Sequence, residues 1–234
     1  MLHVVCVKHG NKFSSLYVNR LRNMIRRHLS VPHEFWCFTE DSTDIDSGVK
    51  IHTLPLNVPS YVQGWWWKTY LFSDEHFEHS DTVLFFDLDM VIVANIDHFV
   101  TYKPGAFLGL RDVSRVFNPT RQKLGSAVMR WQAKTQDRLW SELLRDDQIT
   151  RVYRGDQEYL WDRAKQCIQF FPDIWIQSYK WEIRNRREIT GKRENACFKD
   201  VKNPDISNDT SVLAFHGYPS LESVKDPVIL DNWL

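Results

Sequence analysis

The chain has 234 residues, which suits one domain, and 43% of them are hydrophobic, which is enough for a buried core. Its formal net charge is zero, so it lacks the overall basic field expected of a nucleic-acid binder. No apolar stretch reaches the eighteen or so residues of a transmembrane helix. The four cysteines show no C-x-x-C spacing, and together these features lead us to expect a soluble, cytoplasmic protein.

The first hundred residues alternate between strand-like and helix-like segments. Short β-rich runs predict strands at 3–7, 34–38, 49–54 and 82–86, and segments between them predict helices at 11–28 and 64–72. Such alternation is typical of βαβ units and a mostly parallel sheet. In sheets of this kind, ligands bind outside the carboxyl ends of the strands.

The second half is less regular. It predicts strands at 106–110, 126–131 and 212–215 and helices at 135–144 and 158–165. The polar, basic stretch from 179 to 204 has no clear period and is predicted to be a long loop. Because no repeat, low-complexity tract or linker divides the chain, we predict an α/β fold in a single domain spanning residues 1–234.

Two carboxylates follow the apolar run at 82–86. Asp87 and Asp89 are one residue apart, and residues 69–102 contain seven acidic residues and no Lys or Arg. Divalent cations such as Mg²⁺ and Mn²⁺ prefer oxygen ligands of this kind. His216 follows the run at 212–215 in the same way and would join them if both strands lie in one region of the sheet. The alternatives are a solvated acidic turn and a histidine that caps a strand.

Four motifs, in order, resemble those of GT-A glycosyltransferases, specifically glycosyltransferase family 8 and its small bacterial and phage relatives. They are Phe85-Phe86-Asp87-Leu88-Asp89, Gly125-Ser126-Ala127-Val128-Met129, Gly155-Asp156-Gln157 and Phe215-His216-Gly217-Tyr218-Pro219. The resemblance covers nearly the whole chain. It implies a Rossmann-like domain with a mixed, mostly parallel central sheet flanked by helices. The nucleotide-binding half would span about 1–112, and the half for acceptor and donor sugar about 113–234.

The resemblance implies a metal-dependent hexosyltransferase. A sugar would move from a nucleotide-diphosphate sugar, with UDP-sugar as the first candidate, to a hydroxyl acceptor. The implied cofactor is Mn²⁺ or Mg²⁺, held by Asp87, Asp89 and His216, which would stabilise the departing diphosphate as a Lewis acid. The acceptor stays open among glycan, protein, small molecule and modified nucleic acid, and no protein partner is implied.

The resemblance also implies roles for single residues. The catalytic candidates are Asp156 and Gln157, although an aspartate at a helix start is also a routine cap. Family 8 enzymes retain configuration and need no general base; if this chain inverts, Asp156 is the candidate base. The nucleotide is assigned to Lys8, Tyr17, Lys68, Leu88 and Gly217, and the donor sugar to Gly125, Ser126 and Asp112. Tyr17 is equally a candidate for the core, and Lys68 for an ordinary lysine beside aromatic residues.

The chain departs from the family pattern at two places. Tyr218 stands where relatives often carry Lys, so a phosphate-binding charge would come from Lys225 or from the basic stretch at 176–202. Gly125-Ser126-Ala127 also replaces the usual Asn-Thr-Gly order. Two other functions stay open: a nucleotidyltransferase, for which residues 9–11 are not the required Gly-rich loop, and a glycosyltransferase-like binding protein without turnover. The basic stretch would contact an anionic acceptor or close over the diphosphate.

Overall fold

The computed structural model describes residues 1–184 and 206–234, and ten β-strands form within these ranges. They are β1 (Leu2–Lys8), β2 (Glu34–Thr39), β3 (Lys50–Thr53), β4 (Thr82–Phe86), β5 (Met90–Ile92), β6 (Phe107–Arg111), β7 (Leu124–Gln132), β8 (Ile168–Phe170), β9 (Ile176–Ser178) and β10 (Val212–Ala214). Seven of them form the central sheet in the order β3-β2-β1-β4-β7-β6-β8. Only β7 runs antiparallel to its neighbours there, so the predicted mixed, mostly parallel sheet is confirmed.

Six α-helices accompany the sheets in this part of the chain. They are α1 (Ser15–His28), α2 (Asp97–Thr101), α3 (Arg138–Arg145), α4 (Gln148–Val152), α5 (Asp156–Ala164) and α6 (Pro227–Asn232). The remaining strands form a second sheet, in which β10 lies between β5, to which it is antiparallel, and β9, to which it is parallel. None of the helices among the described residues is both long and apolar enough to cross a bilayer.

The central strand β4 explains why the sheet is buried on both faces. It pairs with β1 on one side and β7 on the other, and its last four residues are fully buried. Leu84 and Phe86 pack into a core with α1, whereas Val83 and Phe85 pack into a second, aromatic-rich core with Trp66. Since successive side chains of a strand point to opposite faces, a continuous apolar run is what a strand between two cores requires.

The structure corrects several predicted elements. Residues Gly64–Phe72 form a 3₁₀ helix, and Tyr179–Arg184 form a π-helix where a loop was predicted. The rest of the predicted loop, residues 185–205, lies outside the described residues. Strands β4 and β10 do not lie in the same sheet, so the condition under which His216 would join Asp87 and Asp89 is not met by sheet pairing. Three strands and three α-helices of the described residues were missed, and each has only three to six residues, too few to show a periodic pattern: β5, β8, β9, α2, α4 and α6.

Candidate active site

Backbone hydrogen bonds bring the end of β4 next to two distant parts of the chain. The Asp87 N–H donates to the carbonyl oxygen of Ala127 at 2.8 Å, which places Asp87 beside β7. The Phe215 N–H donates to the carbonyl oxygen of Asp89 at 3.1 Å, which extends the pairing of β10 with β5. The motifs around residues 87, 126 and 216 therefore meet at the carboxyl end of β4.

A cavity of about 410 Å³ lies at this meeting point, and we call it the carboxylate cavity. Its charged and polar lining comes from distant segments: Lys12, Lys68, Asp87, Asp89, Asp112, Ser126, Asp156, Gln157 and His216. The lining thus contains four carboxylates and only two lysines, and the His216 imidazole adds no charge when it is neutral. A cavity with excess negative charge favours a cationic ligand.

Lys68 is the centre of a hydrogen-bonded network in this cavity. Its Nζ lies 2.8 Å from Asp87 Oδ2, 3.8 Å from Asp156 Oδ2 and 3.4 Å from Ser126 Oγ. The Ser126 hydroxyl donates to Asp156 at 2.6 Å. Burial by itself lowers the pKa of Lys68, but the nearby carboxylates of Asp156 and Asp87 outweigh it, and the net pKa is raised. The amine is therefore cationic at neutral pH.

The two aspartates of the Asp-x-Asp motif have different partners. Burial raises the pKa of Asp87 to about 7, against the opposing effect of the Lys68 ammonium. Burial also raises the pKa of Asp89, and Lys12 and Lys68 oppose that shift. Within the described ranges, the Asp89 carboxylate forms no ion pair with another side chain. A half-buried carboxylate without an ion-pair partner among the described residues, beside a second half-buried one, fits the oxygen ligands of a hard cation.

His216 lines the same cavity, but its imidazole has other contacts. Its Nε2 lies 2.7 Å from Ser178 Oγ, and its ring packs edge-on against Trp181. Burial lowers its pKa to about 4, so the ring is neutral. Within the part of the chain that the structure describes, no three His, Cys, Asp or Glu side chains are close enough together to hold a metal ion. Asp87 and Asp89 fit such a role by their chemistry, and the three-residue site stays a prediction.

Gln157 and Asp112 also line the carboxylate cavity and are joined to each other by a hydrogen bond. Gln157 Nε2 donates to Asp112 Oδ2 at 2.5 Å, and Asp112 Oδ1 accepts from the Ser114 N–H at 2.8 Å. A Cβ atom at Gly125 would lie 3.3 Å from the Asp112 Cα, so the absence of a side chain in β7 lets Asp112, which directly follows β6, approach closely. The predicted donor-sugar residues Gly125, Ser126 and Asp112 therefore lie together, beside Gln157.

The predicted nucleotide-binding residues do not all meet. Tyr17 lies in a smaller cavity of about 190 Å³ that shares Asp89 and Gly217 with the carboxylate cavity. Its ring also packs in the core against Trp233, so the core position is confirmed and the nucleotide-binding role of Tyr17 stays a prediction. Leu88 is buried in the core. Lys8 lies apart, because its Nζ donates to the carbonyl oxygen of Asp41 at 3.1 Å.

Two lysines that were not predicted to belong to the site lie near the motifs. Lys12, which follows β1, lines both the carboxylate cavity and the smaller cavity around Tyr17. Lys180 Nζ donates to the carbonyl oxygen of His216 at 3.1 Å, so a cation does lie beside the closing motif despite Tyr218. The position of Lys12 just after a strand end was a usable signal, whereas nothing local in the sequence links Lys180 to His216.

Comparison with solved structures identifies the fold. The glycosyltransferase GlyE of Streptococcus pneumoniae TIGR4 has a TM-score of 0.61 at 12% identity, over 100% of this chain and 62% of its own. The galactosyltransferase LgtC, in complex with donor and acceptor sugar analogues, has a TM-score of 0.58 at 11% identity, over 94% of this chain and 88% of its own. The bifunctional glycosyltransferase WbbM has a TM-score of 0.60 at 12% identity, over 99% of this chain and 49% of its own.

These similarities establish a GT-A-type fold, as the motif resemblance predicted. The chain spans less than two thirds of the length of GlyE and about half that of WbbM. No family model matches the sequence, and no curated protein matches it. The identities of 11–12% reflect the fold, so the reaction has to be inferred from the residues of the carboxylate cavity.

Proposed function

We propose that this chain is a glycosyltransferase that uses a nucleotide-diphosphate sugar, with UDP-sugar as the first candidate donor and a hydroxyl group as the acceptor. One observation supports this above all: Asp87, Asp89, Asp156 and Gln157 line one cavity of a GT-A fold at the carboxyl end of β4. Ligands bind at this place in open α/β sheets. The expected cytoplasmic location also stays a prediction.

The cavity chemistry suits a diphosphate leaving group. Negative charge develops on the β-phosphate as the glycosidic bond breaks, and the half-buried Lys68 ammonium is already in place to stabilise it. Asp87 and Asp89 would hold Mn²⁺ or Mg²⁺, with His216 beside them, and the ion would neutralise the diphosphate further. In water-excluded surroundings, such fixed charges act more strongly than in bulk water.

Asp156 and Gln157 begin helix α5, which directs both toward the cavity. Asp156 is 5% exposed, and its Oδ2 is engaged by Ser126 and lies near Lys68. These contacts favour a role in positioning Lys68 over a role as general base, and so support transfer with retention. Gln157, held by Asp112, is the side chain that we place next to the donor sugar.

A donor screen tests the proposal. UDP with Mn²⁺ should raise the melting temperature of the wild type, because a ligand that binds only the folded state stabilises it. UDP-sugar turnover should fall at least about 100-fold in Asp89→Asn, since this removes a carboxylate that would hold the metal ion on the departing diphosphate. Asp231→Asn, on the exposed end of α6, is the matched control and should behave as the wild type.

Removal of metal gives an independent check. Chelation by EDTA should abolish turnover, and Mn²⁺ in excess should restore it in the wild type but not in Asp89→Asn. No thermal response to UDP, GDP or CMP sugars with Mn²⁺ would reject the proposal.

The exposed Tyr218, where relatives often carry Lys, favours one second candidate, a binding protein without turnover. Metal-dependent UDP binding that Asp89→Asn abolishes, with no sugar transfer, would assign that function.

A further inference from the structure

A second cavity adjoins the carboxylate cavity and has the opposite charge pattern. It measures about 600 Å³ and shares Asp112, Val113 and Gln157 with the first. We call it the basic cavity, because its lining includes four cations: Arg121, Lys123, Arg154 and Lys165. A ligand there would touch the same Gln157 side chain as a sugar in the carboxylate cavity.

Every carboxylate of the basic cavity already has a partner. Glu158 pairs with Arg154, whose Nε lies 2.7 Å from Oε1, and Asp162 pairs with Lys165 at 3.0 Å. Asp112 accepts the hydrogen bond of Gln157. Two of the four cations, Arg154 and Lys165, are therefore paired with carboxylates of helix α5, and the Asp112 carboxylate between the cavities accepts a hydrogen bond from Gln157.

The other two cations are not matched. Arg121 and Lys123 form no ion pair with any carboxylate in the described ranges, and Arg121 Nε is buried without an acceptor. Trp181, which also lines this cavity, has a buried indole N–H for which the described residues likewise supply no acceptor. Buried donors are nearly always satisfied in folded proteins, so these two donors fit a ligand that brings oxygen acceptors.

The lining also offers aromatic faces. Trp161 stacks on Phe170 at a ring-centroid distance of 5.8 Å and an interplanar angle of 22°, which fixes the plane of the indole. Tyr153 and Trp181 line the cavity as well. Fixed aromatic rings present an apolar face against which the C–H groups of a ring-shaped ligand pack.

We propose that the basic cavity binds the acceptor, and that this acceptor is a saccharide with a carboxylate or phosphate group recognised by Arg121 and Lys123. This assignment depends on the glycosyl transfer proposed above. A neutral sugar would instead suit the cavity on the far side of Trp65, whose lining is aromatic and without Lys, Arg, Asp or Glu. A nucleic acid would require cations spread over an extended surface, whereas here the two cations without a carboxylate partner among the described residues, Arg121 and Lys123, lie in one cavity.

Direct binding to the whole protein tests this without donor or turnover. In isothermal titration, glucuronate or glucose 6-phosphate should bind at least tenfold more tightly than glucose, and the tighter of the two identifies the anionic group. The double variant Arg121→Gln/Lys123→Gln should weaken that binding at least tenfold and leave the thermal response to UDP unchanged. Arg26→Gln, exposed on α1, is the matched control and should bind as the wild type.

The outcomes separate the two proposals. Anionic saccharide binding without any response to nucleotide sugars rejects the transfer reaction and keeps the site. A response to UDP with equal binding of glucuronate and glucose, or with unchanged affinity in the double variant, overturns the anionic acceptor. Salt-dependent binding of an oligonucleotide, without binding of either anionic sugar, overturns it as well and assigns the cavity to nucleic acid.

Discussion

The carboxylate cavity and the basic cavity share one wall but hold their charges differently. In the first, Lys68 contacts Asp87 and lies near Asp156, so the cation is compensated by the protein itself. In the second, Arg121 and Lys123 have no carboxylate partner among the described residues. A compensated charge maintains the fold of its surroundings, whereas an uncompensated one is available to a ligand. We therefore expect that replacing the paired Lys68 lowers the free energy of unfolding more than replacing Arg121 or Lys123.

The largest effect on stability should come from Lys68→Met. This change leaves the buried carboxylate of Asp156 and the half-buried carboxylate of Asp87 without their cation, and removing one partner of such an ion pair costs about 3 kcal/mol of unfolding free energy. Urea denaturation measures it, with the exposed Lys225→Met as control. The double variant Lys68→Met/Asp87→Asn should recover part of the loss, because one unpaired charge is removed. If it does not, the pairing is not what stabilises this cavity.

A smaller loss is expected for Ser126→Ala. The hydroxyl donates to Asp156 and accepts from Lys68, so its removal leaves a buried carboxylate short of one donor and should cost about 1 kcal/mol. Ser223→Ala, whose hydroxyl is exposed, should stay within about 0.5 kcal/mol of the wild type. Equal losses in the two variants would show that the network around Lys68 adds nothing beyond an ordinary surface hydroxyl.

The smallest effect should come from Arg121→Gln and Lys123→Gln. Since neither cation is paired with a described carboxylate, each variant should unfold within about 0.5 kcal/mol of the wild type. The same urea experiment measures both. A loss comparable to that of Lys68→Met would mean that these cations hold the fold together, and the contrast between the two cavities would be lost.

Much of the first half of the fold was predictable because its signals are local. The predicted strand at 82–86 coincides with β4, and β1, β2 and β3 differ from their predictions by one residue at one or both ends. A strand between two cores is a continuous apolar run, which is visible without any knowledge of its neighbours. The Asp-x-Asp pair could therefore be placed at a strand end from the sequence alone.

The second half was less predictable. Strands β5, β8 and β9 have three residues each, and each is stabilised by pairing with strands far away in the sequence. Such short segments carry no periodic signal of their own. These pairings divide the strands between two sheets, and the pairing of β10 with β5 and β9 sets the position of His216. The same holds for Lys180, which reaches the carbonyl oxygen of His216 from the π-helix after β9.

The sequence by itself determined that a GT-A-like α/β fold would present Asp87 and Asp89 at the end of a buried strand. Only the tertiary structure decided which groups meet them: Lys68 on Asp87, Ser126 on Asp156, and His216 engaged by Ser178. It also decided that the basic cavity lies against Gln157. The reason is physical. Strand formation follows from local apolar periodicity, whereas charge pairing depends on distances between side chains that are far apart in the chain.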